Sequence, residues 1–193
     1  GVDGKPTLHK NGYAGWRDKY DARGNSIETA YFGVDGKPTL HKDGLAIWRR
    51  KYDARGNQIE SAFFGVDGKP TLHKDGYAGY RDKYDALGNN IETAFFGVDG
   101  KPALLKDGYS IWRSKYDARG NKVERAYFGV DGKPTLHKNG LAIWRSKFDA
   151  RGNQIEVAYF GVDGKPTLHK NGYAGWRDKY DARGNNIETA FFG

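Results

Sequence analysis

The chain has 193 residues, of which 37% are hydrophobic, with a formal net charge of +8 and no cysteine. The lack of cysteine excludes a disulfide framework and a thiolate metal site, and no apolar run is long enough to span a membrane. Because neither a signal peptide nor a Met opens the chain, we expect it to be an excerpt of a longer protein.

Six copies of a 32-residue unit account for almost the whole sequence, at residues 1–32, 33–64, 65–96, 97–128, 129–160 and 161–192, and Gly193 begins a seventh. A fixed period of this length is typical of a solenoid, a propeller or another array of supersecondary units. No spacer separates the copies, so we predict a single repeat array over residues 1–193. Copies this similar indicate either recent amplification or consensus design.

The first part of each unit predicts two turns with a short strand between them. Val2-Asp3-Gly4-Lys5 contains an Asp-Gly pair, which suits a two-residue hairpin turn with both central residues at positive φ. Thr7–Lys10 is predicted as a short strand, because Pro6 before it lacks an N–H and suits a strand start. Lys10-Asn11-Gly12-Tyr13 repeats the turn signal.

The second part predicts a longer hairpin. The strand Tyr13–Tyr20 has two faces, one with Ala14, Trp16, Asp18 and Tyr20 and the other with Arg17 and Lys19. Asp21–Asn25 fits a type I turn followed by Gly24 in the left-handed conformation. Ser26–Phe32 is rich in β-branched and aromatic residues and predicts the second strand.

Loop length decides which residues of this hairpin face each other. A four-residue loop over residues 22–25 pairs Tyr20 with Ile27, Lys19 with Glu28 and Trp16 with Tyr31. A three-residue loop over residues 22–24 places Asp18 opposite Glu28, two like charges. Since cross-strand pairs contribute roughly 0.2–1 kcal/mol each, we predict the four-residue loop, with one aromatic face and one face of Lys–Glu pairs.

The string Tyr20-Asp21-Ala22-Arg23-Gly24-Asn25 follows the pattern Tyr-Asp-x-x-Gly-Asn, and its copies repeat the pattern except for Phe148 in the Tyr position of copy five. This pattern resembles the YD or Rhs repeat of bacterial surface and toxin-associated proteins and of teneurins. The resemblance implies long spiralling β-sheets, often built into a shell, and a bacterial cell-surface or secreted location. The 32-residue period is longer than the usual unit of that family.

We therefore predict an all-β fold, an open solenoid or spiral sheet of six hairpin units, with a closed six-fold propeller-like ring as the alternative. Three turns per unit would reverse the direction of successive copies, unless Thr7–Lys10 is not a regular strand. Propeller blades normally have about 40–50 residues, which favours the open array. Open solenoids usually carry atypical end repeats, yet copies one and six differ only at Ser26/Asn186 and Tyr31/Phe191. A closed ring, a longer array and ends that stack on other chains all remain compatible with that similarity.

One histidine position per unit could form a metal-binding or pH-sensing ladder, at His9, His41, His73, His137 and His169. Leu105 replaces the imidazole in copy four, which favours ordinary packed or exposed histidines. Asp3, Asp21 and Asn25 could suggest calcium, but Asx side chains in turns bond the local backbone, so we interpret them as turn residues.

No arrangement in the unit is typical of an active site. Glu28 is expected to pair with Lys19, no nucleophile recurs beside a base, and no glycine-rich phosphate loop precedes a helix. We therefore expect no enzymatic activity, no catalytic residue, no bound metal and no cofactor.

Two sets of residues could bind a ligand if the copies align. Basic rows could attract nucleic acid, an anionic glycan or a membrane surface; they comprise Arg17, Lys19, Arg49, Lys51, Arg81, Lys83, Arg113, Lys115, Arg145, Lys147, Arg177 and Lys179. An aromatic column could stack sugars or bases; it comprises Trp16, Trp48, Tyr80, Trp112, Trp144 and Trp176. A solvated mixed-charge face and an aromatic core ladder are the simpler interpretations, and we favour both.

Three functions remain open. The first hypothesis is a rigid non-enzymatic repeat scaffold whose main partner is itself, through end-to-end association. The second is a multivalent module for an anionic polymer or glycan, with one weak site per copy. The third, a fragment of an Rhs-type encapsulating shell, follows from the resemblance alone.

Overall fold

The computed structural model describes residues 4–193. Each repeat contributes two β-strands, and the described residues include no helix, hence none that could cross a membrane. The strands are β1 (Gly15–Tyr20), β2 (Ser26–Phe32), β3 (Ile47–Tyr52), β4 (Gln58–Phe64), β5 (Gly79–Tyr84), β6 (Asn90–Phe96), β7 (Ile111–Tyr116), β8 (Lys122–Phe128), β9 (Ile143–Phe148), β10 (Gln154–Phe160), β11 (Gly175–Tyr180) and β12 (Asn186–Phe192). The predicted all-β hairpin repeat is confirmed.

The two long strands of the unit are where the sequence predicts them, with one shift. The second strand has the predicted bounds, Ser26–Phe32. The first begins at Gly15 rather than Tyr13, because the carbonyl oxygen of Tyr13 accepts a hydrogen bond from the His9 amide at the preceding corner, 2.7 Å away. Tyr13 therefore belongs to the corner and not to the strand.

The third strand, predicted at Thr7–Lys10, is wrong. Just before the corresponding stretch of later copies, the proline forms an isolated bridge, such as Pro38 with Phe32, and the Thr39 amide donates to the carbonyl of Tyr31. Proline has no amide to donate to a ladder, and after the Thr39 bond the segment continues as a loop. With two strands per unit, every hairpin begins in the same direction.

The described chain forms two compact parts, one from residues up to Lys83 with Ala94–Leu105, the other from Tyr84–Thr93 with Lys106–Gly193. In the first part, β1 to β5 pair antiparallel in chain order. In the second part, β7 to β12 do the same. Over residues 4–193, β1 pairs only with β2 and β12 only with β11, so the array is open and the closed ring is wrong.

The hairpin register matches the prediction except beside the turn. Lys19 faces Glu28 and Trp16 faces Tyr31 as predicted, but Tyr20 faces Ser26 instead of Ile27. The loop has three residues, closed by a 3.0 Å bond from the Asp21 amide to the Asn25 carbonyl. A β-bulge then shifts the register by one residue. The bulge sets Asp18 opposite Thr29, so the like-charge pair expected of a three-residue loop does not form.

All three corners of the unit share one geometry. The first amide of each bonds to the carbonyl four residues on, at His9–Tyr13, Asp21–Asn25 and Gly33–Lys37. Only glycines among residues 4–193 have positive φ, including Gly36 at 73°. The prediction of positive φ at both residues of Asp-Gly is therefore wrong, because a three-residue loop needs only one left-handed position. In copy one, Val2 and Asp3 lie outside the described residues.

The core lies where the aromatic face meets the loop that follows each hairpin. Leu45, Phe63 and Leu141 are almost fully buried there. In the first copies, the His41 ring lies 5.7 Å from that of Tyr13 and 5.1 Å from that of Tyr31. Because these contacts join consecutive repeats, each copy completes the core of the copy before it.

Candidate interaction surfaces

One face of the hairpins carries glutamates held between two cations. Glu28 accepts hydrogen bonds from Lys19 of its own hairpin at 2.7 Å and from Arg49 of the next hairpin at 2.8 Å. These two bonds lower the pKa of Glu28, and the bond from Lys19 has the larger effect. Arg81–Glu60, Arg113–Glu92, Arg145–Glu124 and Arg177–Glu156 repeat the contact between hairpins, at 2.6–2.8 Å. The predicted Lys–Glu face is present, and it also links the copies.

The predicted basic positions lie along the first strand of each hairpin, on this same face. They are Arg17, Lys19, Arg49, Lys51, Arg81, Lys83, Arg113, Lys115, Arg145, Lys147, Arg177 and Lys179. The arginines lie over phenylalanine rings, for example Arg49 at 4.4 Å from the Phe64 ring centre. Lysine side chains such as Lys51 and Lys115 remain 70% and 73% exposed. The six glutamates thus offset about half of the positive charge of the rows. The lysine side chains are the more exposed of the two cation sets, at 68–73% against 48–66% for Arg49, Arg81, Arg113, Arg145 and Arg177.

The aromatic column is partly covered by other side chains. The column comprises Trp16, Trp48, Tyr80, Trp112, Trp144 and Trp176. The guanidinium of Arg50 lies 3.7 Å from the ring centre of Trp48, and that of Arg125 lies 4.1 Å from Trp112. Trp144 and Trp176 line a cavity of about 240 Å³. Ring faces in copies two and four are therefore occupied by arginine instead of being open for stacking.

The histidines contact neighbouring aromatic rings and bond to their own corners; His9 is exposed, and the other four are half-buried. In each of His9, His41, His73, His137 and His169, Nδ1 accepts a bond from the amide two residues on. Burial lowers the pKa of His41 and of His137. Among residues 4–193, no group of three or more His, Asp or Glu side chains is arranged to hold a metal ion.

Direct hydrogen bonds support the predicted turn role of Asp21. Its Oδ1 accepts from the amides of Arg23 and Asn25, and its Oδ2 accepts from the side-chain amide of Asn25, all at 2.9 Å. These bonds lower the pKa of Asp21, and the bond from the Asn25 side chain has the largest effect. Asp3, the other calcium candidate, lies outside the described residues.

We call the contact between the second strand of one hairpin and the first strand of the next the inter-repeat joint. At the β2–β3 joint, Glu28 faces Arg49, Thr29 faces Trp48 and Ala30 faces Ile47. The Tyr31 amide donates to the Ala46 carbonyl at 2.9 Å, and the Tyr52 hydroxyl donates to the Ser26 carbonyl at 3.1 Å. The corners also meet, since the Arg23 guanidinium donates to the Ala54 carbonyl at 2.9 Å.

The outer edges of β1 and β12 expose side chains whose equivalents at the internal joints are half-buried or buried. Trp16 and Tyr20 on β1 are each 59% exposed, and Ile187 and Phe191 on β12 are 64% and 62% exposed. Glu188 bonds to Lys179 at 2.8 Å, and its side chain is 52% exposed, against 15% for Glu28. Adjoining apolar residues on an unpaired strand edge are typical of a surface that binds another strand.

Sequence reasoning missed the arginine–glutamate contact between copies. It treated Arg17 and its equivalents as exposed rows, although both the arginine and the glutamate are identical in all six copies. Their spacing held the signal, because Glu28 and Arg49 occupy neighbouring strands of one face once each unit is given two strands. The wrongly predicted third strand hid it.

No protein-family model matches the chain, and no curated protein matches it. Among solved structures, the chain is similar to part of TcdB2-TccC3-Cdc42, with 13% identity over 91% of this chain and 10% of that one, at a TM-score of 0.24. It is also similar to part of TcdB2-TccC3-TEV, with 12% identity over 97% of this chain and 12% of that one, at a TM-score of 0.21. The chain thus spans about a tenth of these structures, and TM-scores this low support no conclusion about fold or function.

Proposed function

We propose that this chain is a non-enzymatic scaffold of identical hairpin units that associates end to end with further copies of itself. The exposed outer edges of β1 and β12 carry the proposal. They expose apolar side chains that the internal joints cover at least in part, including Trp16 on one edge and Phe191 on the other. Such a role needs no catalytic residue, metal or cofactor.

Sedimentation velocity over a hundredfold range of protein concentration tests the proposal. We expect the average mass to rise with concentration, because each added copy buries apolar surface at a new joint. Ile187→Lys places a charge on the outer edge of β12 and should suppress the rise. Leu87→Lys is the matched control, since Leu87 is 74% exposed at a corner, and it should leave the rise intact. A constant monomer mass at every concentration would refute the proposal.

A second candidate is multivalent binding of an anionic polymer or glycan, supported by the exposed lysine row. The side chains of Lys19, Lys51, Lys115, Lys147 and Lys179 are 68–73% exposed, at one position per repeat. Weak sites at regular spacing can add up by avidity. Fluorescence anisotropy with labelled dextran sulfate should show binding that weakens steeply with salt. Lys51→Gln with Lys115→Gln should weaken that binding, and an unchanged affinity would exclude the lysine row.

An encapsulating role of the Rhs type remains a prediction from the Tyr20–Asn25 motif. No contact within residues 4–193 favours it over the first proposal.

A further inference from the structure

We propose that the association is polar: the outer edge of β12 in one copy adds to the outer edge of β1 in a second copy, in the register of the internal joints. This inference rests on the proposed function and specifies its partner and contact. It commits to an antiparallel pairing in which Glu188 of one copy meets Arg17 of the second. Glu188 is the equivalent of Glu28 five repeats later in the chain, and Arg17 is the equivalent of Arg49 one repeat earlier.

Both halves of this contact already form joints inside the chain. The outgoing half, Glu188-Thr189-Ala190, has the same residues as Glu28-Thr29-Ala30, which pair with β3. The incoming half, Gly15-Trp16-Arg17, has the same residues as Gly175-Trp176-Arg177, which pair with β10. Each half therefore occurs in a joint of the described structure, so their combination requires no new side-chain chemistry.

The two edges also complement each other in hydrogen bonding. On the β12 side, the Phe191 amide corresponds to the Tyr159 amide, which donates to the Ala174 carbonyl at 2.8 Å. On the β1 side, the Tyr20 hydroxyl corresponds to that of Tyr180, which donates to the Gln154 carbonyl at 3.2 Å. At the corner, Arg183 corresponds to Arg151, which donates to the Ala182 carbonyl at 2.6 Å. In the proposed joint, each of these groups has its partner on the edge of the other copy: the Phe191 amide and Arg183 on the β1 side, and the Tyr20 hydroxyl on the β12 side.

Charge selects this polarity over symmetric pairing of like edges. In a symmetric antiparallel pairing centred on these positions, two β12 edges would bring together Glu188 from each copy, and two β1 edges would bring together Arg17 from each copy. Like charges across an interface disfavour association, whereas the Glu188–Arg17 combination repeats the 2.8 Å contact of Glu156 with Arg177. Because the two surfaces differ, the contact does not close on itself as a symmetric dimer does, and growth can continue.

A charge-swap experiment tests the polarity. Glu188→Arg and Arg17→Glu are made separately, and association is followed by sedimentation velocity beside the unaltered chain. Each variant alone should need at least about tenfold more protein for the same average mass, because like charges then meet at every joint. An equimolar mixture should associate like the unaltered chain, since every joint between the two variants has opposite charges.

A matched control accounts for net charge and folding. Lys133→Glu makes the same change in charge as Arg17→Glu, at a corner side chain that is 82% exposed, and should leave association unchanged. Thermal unfolding of each variant by circular dichroism establishes that the fold is intact, since a variant that does not fold would neither associate nor be restored by mixing.

The outcomes separate the inference from the proposed function. If the unaltered chain stays monomeric at every concentration, the proposed function fails and the polar register fails with it. If the chain associates but both variants associate equally well, self-association stands and the polar register is overturned. If the variants are impaired and their mixture is not restored, the Glu188–Arg17 contact is likewise overturned.

Discussion

Glu28 and Glu188 occupy the same position of the repeat and differ only in what lies beside them. At the β2–β3 joint, Glu28 bonds to a lysine and an arginine and is 15% exposed, whereas Glu188 on the outer edge bonds to one lysine and is 52% exposed. The same holds for Thr29, which is buried, and Thr189, which is exposed. A hairpin therefore supplies only half of its own environment, and the next hairpin supplies the rest.

The largest expected effect comes from filling the space at a joint. A Cβ on Gly175 would lie 2.2 Å from the Val157 carbonyl oxygen and 2.4 Å from the Phe192 ring, whereas a Cβ on Gly15 would have no atom within 4 Å beyond its own chain neighbours. Gly175→Ala should destabilise the protein by about 1–3 kcal/mol through overpacking. Gly15→Ala should stay within about 0.5 kcal/mol of the unaltered chain. Urea unfolding of both variants checks this, and equal losses would contradict it.

A smaller effect is expected from neutralising one glutamate. Glu156→Gln weakens bonds to both Lys147 and Arg177, and we expect a loss of about 1 kcal/mol, since these partners are largely exposed. Glu188→Gln weakens one bond on the outer edge and should cost less than about 0.5 kcal/mol at monomer concentrations. Urea midpoints measure both. A greater loss at Glu188 would mean that the joint does not strengthen the pair.

The smallest expected effect is a dependence of stability on pH from the packed histidines. Burial lowers the folded-state pKa of His41 and His137 below the ordinary value of 6.5. The unfolded chain therefore takes up protons first, so stability is complete above about pH 6.5 and is lost as the pH falls from there through the folded pKa. His41→Leu with His137→Leu copies the residue at Leu105 and should remove this component. An unchanged slope of stability against pH below 6.5 would refute it.

The strands were predictable because their signals are local and recur. Ser26–Phe32 alternates strand-forming residues, and the Asp21–Asn25 corner has a glycine that must be left-handed. The conformation of the Thr7–Lys10 segment was not predictable. Whether it forms a strand depends on how far pairing continues past Pro38 and its equivalents, which form only a single bridge to the preceding strand. The Tyr20 register also failed, because a three-residue loop combined with a bulge reproduces most of the four-residue pattern.

The candidate surfaces were predictable as sets of residues but not as contacts. The basic row and the aromatic column follow from periodicity. The pairing of Glu28 with Arg49 requires knowing that consecutive hairpins are adjacent and that each has two strands. The cover of Arg50 on Trp48 depends on a residue that occurs in only one copy, so comparison of the copies could not reveal it.

The central claim is that the outer edges form the same joint as the internal strands, and exchange of the Phe191 amide tests it most directly. In the internal joints, the equivalent amides of Tyr31 and Tyr159 donate to the next hairpin at 2.9 and 2.8 Å. NMR-detected hydrogen exchange should show Phe191 exchanging fast in dilute protein and slowing toward the rate of Tyr159 as concentration rises, while Tyr159 itself is unchanged. Fast exchange at Phe191 under conditions where the chain associates would contradict the claim, because the copies would then be joined through some other surface.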